Sequence, residues 1–208
     1  MAYLVLVRHG ESIWNAKGLW TGWADIELSE KGVEEAKKAG SLIKDIKFNI
    51  CYTAKLKRAK ETLREIINEL NLKEIPVIEN ETLNERDYGD FTGKNKWEIK
   101  KEVGDEKFKL IRRGWDYPIP KGESLKDVYN RVVPYFENNI FPNIKTGKNV
   151  LISASGNSLR TLIKYLEKIS DTDISNLELA TGEIYIYQID EKGNIISKEK
   201  RASRPNTA

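Results

Sequence analysis

The sequence predicts an α/β fold, a three-layer α/β/α sandwich around a mainly parallel central sheet. Three observations lead there. Short continuous apolar runs alternate with longer stretches of helical periodicity, the pattern of strands joined by crossover helices. Polar, glycine-bearing loops follow the apolar runs instead of interrupting them. The 208 residues suit one compact domain, and no internal repeat or low-complexity linker divides them.

The elements follow in order. Residues 3–7 are apolar throughout, as expected of a strand buried on both faces. After a loop bearing Gly and Trp, Ser29 is placed to cap a helix with Val33, Ala36, Gly40 and Ile43 on one face. Residues 48–52 read as a second strand, with Cys51 a small buried hydrophobe. Leu56, Ala59, Leu63, Ile66, Ile67 and Leu70 then keep helical spacing. Ser124 and Asp127 have capping-box form and open a helix with Leu125, Val128, Val132, Phe136 and Ile140 on one face, kinked at Pro134. Residues 150–154 are a third buried strand, followed by Leu159, Leu162, Ile163, Leu166 and Ile169 on a helix. Residues 184–189 and 195–196 form a hairpin around a turn at 190–194. From about residue 198 the chain is polar, with Lys198, Lys200, Arg201 and Arg204, and is expected to be mobile toward its end.

Composition excludes several classes. Lys+Arg 35 against Asp+Glu 32 gives a net charge of +3, too small for a dedicated nucleic-acid binder. No stretch approaches the roughly 20 apolar residues that span a bilayer. The first residues carry no basic leader and no small-residue cleavage site, so a cytoplasmic protein is expected. Cys51 is the single cysteine, which excludes an intrachain disulfide and a cysteine-based metal cluster. His9 is the single histidine, and only it titrates near neutral pH without help from its surroundings. Asn80, Glu81 and Thr82 have glycosylation-acceptor form, but without a secretory leader they read as a surface turn.

In open α/β sheets, ligands bind beyond the carboxyl ends of the strands. Residues 8–12 (Arg-His-Gly-Glu-Ser), 53–58 and 155–158 occupy that position here. Arg8 and His9 before Gly10 have the chemistry of a phosphate-handling unit. A guanidinium grips phosphate oxygens through paired hydrogen bonds, and a neutral imidazole nitrogen attacks phosphorus. A single histidine after a strand is more often structural, and three residues alone do not decide between the two uses.

The longer string does. Arg8-His9-Gly10-Glu11-Ser12-Ile13-Trp14-Asn15, then Leu19-Trp20-Thr21-Gly22-Trp23, resembles the start of the cofactor-dependent phosphoglycerate mutases of the histidine phosphatase superfamily. The resemblance runs on through Leu28-Ser29-Glu30-Lys31-Gly32, Tyr52-Thr53 with Leu56-Lys57-Arg58-Ala59, and Leu83-Asn84-Glu85-Arg86 with Tyr88-Gly89. Arg112-Arg113, Gly122-Glu123-Ser124-Leu125 and Gly156-Asn157-Ser158-Leu159-Arg160 complete it. It implies the phosphoglycerate mutase-like form of the predicted fold. It also implies that His9 is the phosphohistidine nucleophile, that Arg8 and Arg58 clamp the transferring phosphoryl group, and that Glu85 carries the proton of the substrate hydroxyl. Gly10, Asn15, Thr21, Gly22, Tyr88, Lys96, Arg112, Arg113, Gly156 and Asn157 would bind substrate. The implied primer is 2,3-bisphosphoglycerate and the implied partner a small phosphorylated substrate, with no metal because the arginines supply the charge. Relatives occur as monomers, dimers and tetramers, so a homo-oligomer is compatible with the fold without following from it. Trp14, Trp20 and Trp23 flank the expected pocket and Trp97 and Trp115 can cover it, although core packing is the commoner role for each.

Two positions depart from the family. A second catalytic histidine normally precedes Gly-Asn-Ser-Leu-Arg; here that position is Ser155. A charge-assisted hydrogen bond contributes about 1.5–3 kcal/mol against about 0.5–1.5 for a neutral one, a deficit of around tenfold. If the lost donor acts chiefly in the transition state, the penalty grows to about 10²–10³. Asp87 stands where many relatives have histidine, and a carboxylate near the site is expected to weaken binding of a bisphosphate.

The expected activity is therefore interconversion of 3-phosphoglycerate and 2-phosphoglycerate in glycolysis and gluconeogenesis, lowered by Ser155. The competing readings are a histidine-type phosphatase acting on small phosphorylated metabolites, and a catalytically weak phosphometabolite-binding protein.

Overall fold

The computed structural model describes residues 1–202 and places six strands among them in one sheet. They are β1 (Ala2–Arg8), β2 (Ile50–Thr53), β3 (Val77–Glu79), β4 (Val150–Ala154), β5 (Ile184–Ile189) and β6 (Ile195–Arg201), in the spatial order β3-β2-β4-β1-β5-β6. β1 to β4 run parallel, while β5 is antiparallel to β1 and β6 to β5. The helices are α1 (Ile13–Ala16), α2 (Glu30–Leu42), α3 (Lys57–Glu69), α4 (Lys96–Val103), α5 (Asp105–Arg113), α6 (Leu125–Tyr135), α7 (Phe141–Lys145) and α8 (Gly156–Glu167).

The alternation of side chains along each strand makes the three layers. Leu4 and Leu6 of β1 join Val128 and Val132 of α6 and Leu159, Leu162 and Ile163 of α8 on one face. Val5 and Val7 join Ala39 of α2 and Leu63 and Ile66 of α3 on the other. Because both faces are covered, every position of the run can be apolar, which is why it carries no polar alternation. A third, smaller cluster of Trp20, Tyr88, Ile99, Phe108, Ile111 and Ile119 lies outside the sheet and seats α4 and α5.

Several expectations are met and others corrected. Ser29 caps α2 by accepting from Gly32 N, and Ser124 and Asp127 form the reciprocal capping box of α6. β5 and β6 make the closing hairpin. β3 has no counterpart in the sequence reading: all three of its residues are exposed on the sheet edge, so no burial pattern marks it. Pro134, where a kink was expected, sits in the last turn of α6, and the chain then winds as a π-helix over Phe136–Ile140 before α7. Residues 198–201, expected in a mobile tail, pair with β5, because Lys198 and Lys200 reach Glu167 and Glu183 from the edge strand. The rest of that tail, from residue 203, lies outside the described residues. Trp23 and Trp97 are 45% and 55% exposed, so neither packs in a core.

Candidate active site

β1 delivers Arg8 and His9 to the carboxyl end of the sheet, where His9 N donates to Ala154 O of β4 at 3.1 Å. The imidazole is only 2% exposed. Its Nδ1 lies 2.7 Å from Gly10 O; a carbonyl can only accept, so Nδ1 carries the proton and Nε2 keeps its lone pair. Arg58 Nε donates to that Nε2 at 3.3 Å. Burial, then the charges of Arg58 and Arg8, hold the imidazole pKa well below its usual 6.5, so His9 is neutral at pH 7. A buried, neutral, tautomer-fixed imidazole beside two cations is a nucleophile suited to an anionic centre.

Arg58 enters from the first turn of α3. Its other nitrogens donate to Gly22 O and Ala24 O at 2.8 and 3.0 Å, and burial pushes its pKa down to about 10. Arg8 donates to Leu179 O, while its Nε is buried without a partner; Thr21 Oγ1 is orphaned in the same way. Both residues line the cleft, so both atoms have hydrogen-bonding capacity that a phosphate oxygen would complete.

Glu85 is 8% exposed, and its Oε1 accepts from Arg86 N at 2.7 Å and Asn157 N at 3.2 Å, which leaves Oε2 uncommitted. Asn157 lies in the first turn of α8; its Nδ2 donates to the Tyr88 hydroxyl at 3.0 Å and its Oδ1 accepts from Arg160 at 2.8 Å. Gly156 lets α8 start against Arg8, since a Cβ there would stand 3.3 Å from Arg8 Nε. The far wall comes from α4 and α5. Lys96 stands over the Trp20 ring at 5.7 Å, and burial together with Arg112 and Arg8 pushes its pKa down to about 8. Arg113 is pinned to Glu178 and to Leu177 O.

Together these residues line one cleft at the carboxyl end of the sheet. It brings together Arg8, His9, Asn15, Thr21, Gly22, Arg58, Glu85, Tyr88, Lys96, Arg112, Arg113, Gly156 and Asn157, all named from the sequence. Three further positions fall elsewhere. Gly10 lies behind the imidazole, not on the cleft wall: Thr62 Oγ1 takes its N–H, His9 takes its carbonyl, and a Cβ on it would stand 2.1 Å from Gly32 O. Ser155 is fully buried at the N-cap position of α8, but its hydroxyl has no partner, makes no capping hydrogen bond and does not line the cleft. Asp87 also stays off the wall, its carboxylate accepting from Gly89 N at 2.9 Å in a local turn.

Trp20, Arg160 and Leu179 line the cleft as well. Trp20 and Arg160 stand inside motifs already quoted, but their packing and backbone contacts leave no spacing signature. Leu179 acts through a loop carbonyl, which no side-chain pattern reports. Among the described residues no cluster of three or more His, Cys, Asp or Glu side chains is arranged to hold a metal ion, and no helix is long and apolar enough to cross a membrane.

Residues 4–200 match the family described as Histidine phosphatase superfamily (branch 1). The chain is 48% identical over 203 residues to a 2,3-bisphosphoglycerate-dependent phosphoglycerate mutase of Parvibaculum lavamentivorans, covering 97% of both chains. It is 47% identical over 197 residues to a protein of the same name from Bradyrhizobium diazoefficiens, covering 94% of this chain and 95% of the relative. Among solved structures, Bacillus stearothermophilus YhfR superposes with a TM-score of 0.82 at 27% identity, over 94% of each chain.

Proposed function

The chain belongs to the histidine phosphatase superfamily, and we propose that within it this protein interconverts 3-phosphoglycerate and 2-phosphoglycerate through a phosphohistidine at His9. The observation that carries the reading is the neutral Nε2 of His9 facing Arg58 at the base of a cleft that also holds Arg8, Lys96, Arg112 and Arg113. A lone phosphate ester needs fewer cations than that. The far group of positive charges suits a substrate with a second anionic end, as a phosphoglycerate has.

Phosphohistidine passes its phosphoryl group to the free hydroxyl of a phosphoglycerate. The Nε2–P bond breaks, an O–P bond forms, and Glu85 takes the hydroxyl proton. Return of the other phosphoryl group to Nε2 breaks its O–P bond, and Glu85 gives a proton to the departing oxygen. Arg8 and Arg58 hold the equatorial oxygens, where charge spreads in the transition state. The orphaned Arg8 Nε and Thr21 Oγ1 and the surrounding cations fit 2,3-bisphosphoglycerate, with Arg8, Arg58, Lys96, Arg112 and Arg113 to hold it. When bound, that molecule supplies the phosphoryl group that first charges the histidine. The reaction serves glycolysis and gluconeogenesis, and we assign the chain to the cytoplasm with it. Ser155 sets turnover below that of a relative with histidine there, because its short side chain stays off the cleft wall.

The same feature favours a second reading, a phosphatase in which water discharges a less firmly held phosphohistidine. One experiment separates the readings: incubate the protein with 2,3-bisphosphoglycerate, record the intact mass, test the adduct for acid lability, then add 3-phosphoglycerate. An acid-labile adduct on His9 that discharges to 2-phosphoglycerate supports the mutase, and discharge only to inorganic phosphate supports the phosphatase. No adduct at all leaves a binding protein.

A further inference from the structure

Outside the cleft wall, one ion pair is built around the backbone of Glu85. Arg131 of α6 uses all five of its N–H donors. Nε and Nη2 donate to the Glu123 carboxylate at 2.7 and 2.9 Å, Nη1 to Thr82 O and Asn84 O at 2.5 and 3.1 Å, and Nη2 also to Glu85 O at 2.9 Å. Glu123 Oε2 in turn accepts from Asp87 N at 2.9 Å. The pair therefore grips the chain on both sides of Glu85, at residues 82, 84, 85 and 87. Trp23, whose ring lies 5.8 Å from the Arg131 guanidinium, adds a bond from its Nε1 to Glu85 O at 2.6 Å. Both members of the pair are about one-fifth exposed and α6 is fixed in the core through Val128 and Val132, so the anchor is rigid.

A side chain that only tied α6 to a loop would need one or two of these bonds. Three carbonyl acceptors within four residues, ending at the one that bears the carboxylate and read by a planar fork that lysine cannot imitate, are a device for fixing a direction. We infer that Arg131, oriented by Glu123, is a positioning residue that aims the Glu85 carboxylate for proton transfer. The inference deepens the proposed function and rests on Glu85 being the proton carrier.

The test exploits the leaving group. Expelling the oxygen of a sugar acid needs a proton, whereas 4-nitrophenolate leaves without one. Phosphorylation of His9 is timed by quenched flow with 2,3-bisphosphoglycerate and with 4-nitrophenyl phosphate, in the native protein and in Arg131→Lys, Glu123→Gln and Glu85→Gln. Arg131→Lys is expected to slow transfer from the bisphosphate by about 30-fold and from the nitrophenyl ester by less than about threefold, as a misaimed general acid would. Glu123→Gln follows the same pattern more weakly, and the half-saturating donor concentrations stay within about threefold, since neither residue lines the cleft. Equal slowing with both donors, or none, overturns the inference. Equal slowing of both donors in Glu85→Gln overturns instead the proton-carrier reading beneath it.

Discussion

Arg58 Nε and His9 Nε2 face each other across 3.3 Å, donor to lone pair. In the proposed mechanism the atom that attacks phosphorus therefore rests against the cation that holds the phosphoryl oxygens.

Arg58→Gln tests both halves of that relationship. Loss of the charge is expected to slow His9 phosphorylation by about 10²–10³-fold. It also removes a cation that helps, after burial, to hold the imidazole pKa below 6.5. The native protein should keep its phosphorylation rate as pH falls from 7.5 through 6.5, because His9 stays neutral. In the variant the acid-side loss moves up toward 6.5. The pH profile of adduct formation measures the difference.

Lys96 makes the alkaline side informative. With its pKa near 8 it is a cation at pH 7 and largely neutral at pH 9, so the grip on the far end of the substrate weakens as pH rises. KM for 3-phosphoglycerate is expected to climb by about fivefold between pH 7 and 9, since one charge-assisted bond becomes neutral. Lys96→Arg, which stays charged, should flatten that rise.

At position 155 two substitutions test turnover and stability separately. Ser155→His is expected to raise turnover by about tenfold or more by restoring a charged donor. Ser155→Ala removes a buried hydroxyl with no partner, so unfolding in urea should leave stability unchanged or raise it by about 1 kcal/mol. Unchanged or lower turnover in Ser155→His would mean that the pocket has been rebuilt around the serine.

Gly32→Ala should be severe although Gly32 lies outside the cleft. Its Cβ would fall 2.0 Å from Glu11 O and force the loop carrying His9 away from α2. A loss of about 3 kcal/mol or more in urea unfolding is expected, with slower phosphorylation of the fraction still folded.

Much of the fold was legible because the apolar runs of β1 and β4 record burial on two faces, and Ser29 and Ser124 announce their helices. β3 was not, since exposed edge residues carry no periodic imprint. In the site, the residues that meet the cleft with a charged or polar tip stood in quoted motifs, except Lys96, which was named only through the family resemblance. What stayed hidden works through the main chain: Arg131 on three carbonyls, Thr62 on Gly10 N, Leu179 O under Arg8. Gly10 shows the reverse case, a motif residue whose service is to the imidazole and to Gly32 behind it.

β1 lies between β4 and β5, so the proposed nucleophile hangs from the middle of the sheet, whereas Lys96, Arg112 and Arg113 ride on two helices outside it, seated on the small Trp20 cluster and tied by Arg86 and Arg160 to the carbonyls of residues 111–113. Chemistry and choice of substrate thus have separate foundations. Grafting a different stretch over residues 94–121 would retarget the enzyme while its phosphorus-handling end kept working as before, and a lineage exploring new metabolites would accumulate its changes there first.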